Sequence, residues 1–324
     1  MNGTGQDIET DTPLQAASRI KDLGLVKNLI SQGALINDTE YEGEFTPLQL
    51  ACGSGASSDS CPVYFDIAKY LLENGADPNV TGRRCGETPL GLAILSSDPD
   101  IRLIELLLGH GADVNAWTQT KAYRQEMCFI LPAALTIARH LGVHKRRIVE
   151  MLIDRGANIN ARWERKYGGD ISVLEATCNH GGPDCIDFVK LLLDRGANPD
   201  IDFPYSCTKN INLAKLLLDR GMNPNPRNPN SYGPLAMAAE SGGLVMAVLL
   251  LAAGARVPVG EDSSNRPLVC AARNGRLDMV ALLVGFETRK EAVEEAIFSA
   301  RQNGYLAIAS FIQPYIDRSS SRTE

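Results

Sequence analysis

The sequence predicts an all-α solenoid, in which stacked helix–turn–helix units carry protruding fingers. An apolar helix end followed by Gly, a small residue and Asn or Asp recurs along the chain. Two copies, LLLDRGANPD (191–200) and LLLDRGMNPN (216–225), match at eight of ten positions. A Pro-Leu segment precedes the copies, as in TPLQAA (12–17), TPLQLA (46–51) and TPLGLA (88–93). One pair of helices cannot bury its own apolar face, so motifs that recur in this order indicate stacked repeats.

Each element of the unit has its own signal in the sequence. The Thr before Pro can accept a hydrogen bond from the free N–H groups that begin a helix, and Pro is tolerated in the first turn. Leu and Ala at spacings of three and four give this first helix a narrow apolar face. The second helix is more apolar, and the Gly after it suits the left-handed residue that ends a helix. The Asn and Asp residues that follow favour a turn.

These linked motifs resemble those of the ankyrin-repeat family, and the resemblance covers roughly residues 12–316. It implies about eight units, with the helix pair at 291–316 as a terminal cap, and we expect disordered tails at 1–11 and 317–324. The family often has His after the TPL motif, where it links neighbouring turns, so we expect those links to differ here. The residues at this position are Gln15, Gln49, Gly91, Thr136, Glu175, Ala236 and Val269.

One unit is too short to be complete. The turn glycines Gly196 and Gly221 are 25 residues apart, whereas an ankyrin unit has about 33 residues. The first helix of the unit at 201–225 is therefore predicted to be missing or cut to about one turn, and Pro204 disfavours more. Its neighbours then either close up or leave a notch in the concave face.

Two insertions, at 117–131 and 162–171, fall just after the turn motif, where fingers project from an ankyrin stack. Aromatic residues and arginines are interleaved in these fingers and in the preceding one, and exposed surfaces of this composition often dominate binding. The predicted partner-binding residues are Trp117, Trp163, Tyr123, Tyr167, Arg83, Arg84, Arg124 and Arg165. The alternative is that these rings only pack one finger against another.

Composition narrows the function classes. The net charge of −7 and the acidic start argue against direct nucleic-acid binding, and no apolar run is long enough for a membrane span. The eight Cys lack CxxC or zinc spacing, so they are predicted to be reduced thiols, with Cys52 and Cys178 as small core residues. No cofactor is predicted. The basic run HKRR (144–147) is interpreted as a solvated loop, with a nuclear-import patch as the alternative.

No catalytic motif occurs in the sequence, and we predict that the chain is not an enzyme. The resemblance implies a protein–protein interaction scaffold or adaptor with a regulatory role, for example a transcription co-regulator or an inhibitor. Its partner is expected to be a protein, and the chain is expected to be a monomer in the cytoplasm, the nucleus or both. The alternative is an enzyme or small-molecule binder that uses an irregular concave groove.

Overall fold

Helices make up most of the described residues, and their bounds follow the repeat motifs. The structure is a computed structural model that describes residues 11–37, 45–53, 62–81, 87–96, 99–120, 126–137, 142–165, 169–180, 185–225, 232–257, 266–287 and 289–316. The predicted tail residues 1–10 and 317–324 lie outside these ranges. Asp11 lies within them, and its carboxylate accepts a hydrogen bond from Arg19 Nε at 2.7 Å.

The chain comprises two compact units, which we name the N-terminal unit (Met1–Thr177) and the C-terminal unit (Cys178–Glu324). In a solenoid each repeat contacts only its neighbours, so such a chain has no single central core. The boundary falls inside the helix α9 (Val173–His180).

In the N-terminal unit the helices follow one another in pairs, and a β-hairpin precedes α7 and another precedes α9. The elements are α1 (Pro13–Arg19), α2 (Leu23–Ser31), α3 (Pro47–Gly53), α4 (Pro62–Glu73), α5 (Pro89–Leu95), α6 (Ile101–Gly109), β1 (Trp117–Thr120), β2 (Glu126–Phe129), α7 (Ile130–Ile137), α8 (Gly142–Asp154), β3 (Arg162–Arg165) and β4 (Gly169–Ser172). The first helices α1, α3, α5 and α7 stack in a row, and the second helices α2, α4, α6 and α8 stack beside them.

The C-terminal unit continues the same pattern with one short unit. Its elements are α10 (Cys185–Asp194), a 3-10 turn (Tyr205–Thr208), α11 (Ile211–Asp219), α12 (Pro234–Ser241), α13 (Leu244–Ala252), α14 (Pro267–Arg273), α15 (Leu277–Leu283), α16 (Lys290–Gln302) and α17 (Leu306–Ile312). The first helices α12, α14 and α16 stack in a row, α11 contacts α13, and α15 contacts α17. The helix pair α16 and α17 occupies the segment predicted as the terminal cap.

Hydrogen bonds of the Thr-Pro motif begin the first helices as predicted. The hydroxyl of Thr12 accepts from the N–H of Gln15 at 3.2 Å, and the hydroxyl of Thr88 accepts from the N–H of Gly91 at 3.1 Å. The seven glycines of the recurring turn motif have a left-handed backbone, with φ between +86° and +95°, as the sequence predicts. They are Gly33, Gly75, Gly111, Gly156, Gly196, Gly221 and Gly254.

Turn asparagines link neighbouring repeats to one another. In the N-terminal unit, Asn79 Nδ2 donates to the C=O of Gly111 at 2.9 Å, and Asn79 Oδ1 accepts from the N–H of Asp113 at 2.7 Å. Asn37 and Asn115 make the same two bonds to the turns that follow them. The Asn of the motif is therefore an inter-repeat link as well as a turn residue.

Glutamine replaces the family's His in the links between first helices. Gln15 Nε2 donates to the C=O of Phe45 at 3.0 Å, and Gln49 Nε2 donates to the C=O of Glu87 at 2.5 Å. Each acceptor lies directly before the Thr that begins the next first helix. The following repeat has Gly91 at this position, which has no side chain to continue the series.

In the C-terminal unit, side chains also stack on the glycines between the paired helices. A Cβ on Gly242 would lie 3.0 Å from Nε of Arg276, and a Cβ on Gly275 would lie 2.5 Å from Cε1 of Tyr305. Arg276 and Tyr305 directly precede α15 and α17. The starts of α13, α15 and α17 are therefore stacked in line.

The shortened unit has the single turn that its length allows. Only the 3-10 turn (Tyr205–Thr208) lies between Asp200 and α11, and it contacts α11 and α12. Cys207 in this turn has no exposed surface, and Leu235 and Ala236 of α12 are only 3% and 1% exposed. Within the C-terminal unit the short turn thus packs against α12.

Candidate functional site

The two predicted fingers are antiparallel β-hairpins. In the first hairpin β1 pairs with β2, and Trp117 lies opposite Phe129. In the second hairpin β3 pairs with β4, and Trp163 lies opposite Ile171. The strand β2 also contacts β3, and β1 contacts the helices α5 and α7. The hairpins are thus neighbours that rise from the row of first helices in the N-terminal unit.

Trp117 forms an exposed aromatic surface on the first hairpin. Trp117 has 45% of its surface exposed to solvent. Its ring lies against that of Phe129, with 4.3 Å between the centroids and 34° between the planes. Aromatic pairs at this separation stabilise one another beyond the area that they bury. The strand pairing therefore holds the indole in place while much of it faces solvent, which suits an anchor for a binding partner.

Trp163 has the opposite environment, with only 2% of its surface exposed. Ile171, its partner across the hairpin, is 1% exposed. This ring is part of the interior of the N-terminal unit, which corresponds to the packing alternative for this residue. Trp163 therefore stabilises the second hairpin and is not part of an exposed binding surface.

A shift of one residue explains why the two tryptophans differ. Ala116 and Ala161 are equivalent, because the C=O of each accepts from the first N–H of the following helix, that of Ile130 or Val173, at 3.2 Å. Trp117 comes one residue after its Ala and Trp163 comes two residues after. Successive side chains of a strand point to opposite faces, so this shift places the two rings on opposite faces.

The same equivalence places Arg162 at the position of Trp117 in the next hairpin. Arg162 is exposed, and its Nη2 donates to the C=O of Asp170 at 3.3 Å. The face that carries Trp117 and Phe129 on the first hairpin therefore carries Arg162 on the second. We name these three residues the hairpin face. The number of residues between each side chain and its turn Ala is the sequence signal that predicts an exposed Arg162 and a buried Trp163.

The remaining predicted binding residues are described in part or not at all. Arg165 is the last residue of β3, where it pairs with Gly169. The others, Arg83, Arg84, Tyr123, Arg124 and Tyr167, lie outside the described residues. Their role in binding stays a prediction.

The basic run HKRR lies in the first turns of α8 and not in a loop, so its interpretation as a solvated loop was wrong, and two of its residues form ion pairs. Arg146 Nε lies 2.8 Å from Glu150 Oε1, and Arg147 Nη2 lies 3.0 Å from Glu105 Oε1 of α6. Lys145 is 8% exposed. The run therefore helps to hold α8 against α6, and within it His144 is exposed beside the two arginines.

The five cysteines whose burial the structure describes are all buried. Cys52 and Cys178 are 6% and 0% exposed, which confirms that they are small core residues. Burial raises the pKa of the Cys52 thiol and raises that of Cys207 to about 12. Within the described ranges, no group of three or more His, Cys, Asp and Glu residues could hold a metal ion. In those ranges no helix has the length and hydropathy of a membrane span.

Comparison with protein families identifies the repeats. A family model described as ankyrin repeats in three copies matches residues 2–82 and 205–293, which together exceed half of the chain. A second model, described as ankyrin repeats in many copies, matches residues 64–108. Both hairpins lie between these matched ranges.

Similar proteins carry the same repeats. A protein of Rickettsia felis named as an ankyrin repeat protein is 38% identical over 118 residues, which cover 34% of this chain and 47% of that protein. An ankyrin repeat protein of Acanthamoeba polyphaga mimivirus is 30% identical over 171 residues, covering 51% of this chain and 22% of its own. Human protein phosphatase 1 regulatory subunit 27 is 38% identical over 92 residues, or 28% of this chain and 51% of that protein. The chain thus spans about half or less of each relative.

Proposed function

Because the chain belongs to the ankyrin-repeat family, whose members bind other proteins, we propose that it is a regulatory binding protein whose partner docks on the hairpin face. In this proposal the chain acts as an adaptor or inhibitor and changes what its partner does by occupying it. Proteins of this family are generally interaction modules without enzymatic activity, which favours regulation by binding. We propose that it acts in the cytoplasm, the nucleus or both, where control of transcription is one such role.

The observation that carries the proposal is the exposure of Trp117. A large aromatic ring that is held by a neighbouring ring and still 45% exposed can bury much apolar surface against a partner with little loss of side-chain freedom. Arg162 adds a cation on the same face. Trp, Tyr and Arg are the residue types that most often dominate binding energy at protein interfaces.

The regulatory part of the proposal is supported by one relative. Human protein phosphatase 1 regulatory subunit 27 is named as a regulatory subunit, and it is 38% identical to this chain over 92 residues. That segment covers 28% of this chain, so we carry over the regulatory class and leave the phosphatase to that relative.

The test compares variants that differ in one exposed side chain. Purified chain is used to capture partners from a cell lysate, the recovered proteins are identified by mass spectrometry, and the partner is then titrated against each variant. We expect Trp117→Ala to weaken binding by about thirtyfold, because truncation of a central anchor costs about 2 kcal/mol. Arg162→Ala is expected to weaken it by a smaller factor.

Leu35→Ala is the matched control, because Leu35 is an exposed apolar residue of the same unit, 71% exposed, away from the hairpins. Trp163→Ala is unsuitable as a binding variant, since removal of a buried Trp costs about 3–5 kcal/mol of stability. Equal affinity of the wild type, Trp117→Ala and Leu35→Ala would refute the hairpin face as the binding site.

A further inference from the structure

The second helix of each unit has outward positions that can be compared from repeat to repeat. In α10 these positions lie one, two, six and nine residues before the turn glycine Gly196, and they carry charges of both signs. The residues are Asp187, Lys190, Asp194 and Arg195, and all four are exposed. In α11 the equivalent residues are Asn212, Lys215, Asp219 and Arg220, which are also exposed. Charged outward positions of this kind are what a solvated helix face requires.

The helix α13 departs from this pattern at all four positions. Its sequence, LVMAVLLLA, has no charged side chain. At the positions of Asp187 and Lys190 it has Val245 and Val248, which are 62% and 49% exposed. At the positions of Asp194 and Arg195 it has Ala252 and Ala253, which are exposed as well. A helix that is apolar on its exposed side as well as its buried side requires a covering partner.

The apolar surface extends across the next two repeats. Leu244 at the start of α13 is 38% exposed, and its equivalents Leu277 of α15 and Leu306 of α17 are 46% and 66% exposed. Because the starts of these three helices are stacked in line, the three leucines form a row. We name Leu244, Val245, Val248, Leu277 and Leu306 the outer apolar face.

We propose that the outer apolar face joins two copies of this chain in a homodimer. A fully exposed Leu or Val side chain has roughly 150 Å² of surface, so the exposed fractions of the five residues of this face amount to about 400 Å². An interface of standard size buries about 800 Å² on each partner, of which about 65% is apolar in homodimers. The face therefore supplies most of the apolar area that one side of a stable dimer needs.

The charge distribution favours a second copy as the occupant. A two-fold axis brings the same patch against itself, so a charge on the axis would meet an identical charge. The five residues of the face are uncharged, which removes that repulsion. At its edge lie Arg276 and Asp278, both exposed and of opposite sign, and a two-fold arrangement allows the Arg276 of one copy to meet the Asp278 of the other. Edge charges that can pair with their own copies about a two-fold axis favour a second copy over a different partner.

The test restores to α13 the residues that α10 carries. Sedimentation velocity of the wild type is measured between about 1 and 100 μM, where interfaces of this size can dissociate. We expect its mass to rise from the 35.0 kDa of one chain toward twice that value. The Val245→Asp/Val248→Lys variant is expected to stay at the mass of one chain over the same range.

The matched control is Asp187→Lys/Lys190→Asp, which changes the equivalent positions of α10 and should associate as the wild type does. Far-UV circular dichroism checks that each variant is folded, and Leu306→Lys, at a residue that is 66% exposed, replaces the double variant if that one does not fold. A wild type that stays at the mass of one chain up to 100 μM would overturn the dimer, whatever other partner it binds. Association of the α13 variant at the wild-type concentration would overturn the role of the outer apolar face.

Discussion

The link made by Gln49 predicts a specific difference between two substitutions. Gln49 is fully buried, and it accepts from the N–H of Thr46 at 2.7 Å while it donates to the C=O of Glu87 at 2.5 Å. Gln49→Leu keeps a similar volume and removes both bonds. Each buried group that is left without a partner costs about 1–3 kcal/mol, so we expect a loss of about 3 kcal/mol in the free energy of unfolding.

Gln49→His tests whether the geometry explains the replacement of the family's His. A neutral imidazole can accept on one nitrogen from Thr46 and donate from the other to Glu87, so we expect a loss below about 1 kcal/mol. An imidazolium can only donate. The folded variant would therefore bind fewer protons than the unfolded one, and its stability should fall as the pH drops through the ordinary His pKa of about 6.5.

The assay uses urea unfolding followed by Trp fluorescence. Both tryptophans, Trp117 and Trp163, lie in the N-terminal unit, where Gln49 also lies. With a urea dependence of about 2 kcal/mol per molar, a loss of 3 kcal/mol lowers the midpoint by about 1.5 M at pH 8. Gln32→Leu is the control, because Gln32 is exposed and should shift the midpoint little. Equal midpoints for the Leu and His variants would refute the reasoning, since the His side chain would then make neither hydrogen bond.

Two further predictions concern the C-terminal unit. Gly275→Ala should destabilise the chain by about 1–2 kcal/mol more than Gly304→Ala. Both glycines have a left-handed φ, but only at Gly275 would the added Cβ lie within 4 Å of the Tyr305 ring. Urea unfolding followed by circular dichroism measures the difference, and Tyr305→Ala should abolish it. Burial raises the pKa of Cys207 to about 12 from 9.0. The buried neutral thiol therefore contributes fully to stability below pH 9, and this contribution is lost as the pH rises toward 12, at about 1.4 kcal/mol per pH unit. Cys207→Ala should flatten the dependence of the urea midpoint on pH in that range, and an unchanged slope would contradict this prediction.

The helix pairs and turns were predictable because their signals are local. Gly75 with its left-handed φ, Thr12 with its hydroxyl at the start of α1, and the single turn after Asp200 all follow from residue type and spacing. Each depends on backbone geometry within a few residues, which the sequence specifies directly. The two hairpins were predicted from the resemblance to the ankyrin family, because the insertions lie where fingers leave its stack.

The exposure of single side chains was less predictable, because it depends on phase and on neighbours. Trp117 and Trp163 both follow a turn and look alike in composition, yet one residue of shift in a strand exchanges exposed and buried faces. Val245 and Val248 belong to an apolar helix, and apolar composition predicts burial until the stacking geometry fixes which side faces outward. The expectation of a monomer was drawn without these exposures.

The two proposed surfaces combine into a prediction that separates them. A homodimer carries two copies of the hairpin face, so it can engage two partner molecules that are immobilised close together on a surface. Where the geometry allows both sites to engage, it should bind such a surface more tightly than a single soluble partner, by a factor of up to about 10²–10⁴. The Val245→Asp/Val248→Lys variant should lose this gain on a partner-coated surface and keep the wild-type affinity for partner in solution. Trp117→Ala should lose affinity in both formats. If the α13 variant instead loses affinity for the soluble partner, the outer apolar face contacts the partner itself, and the assignment of that face to a second copy is wrong.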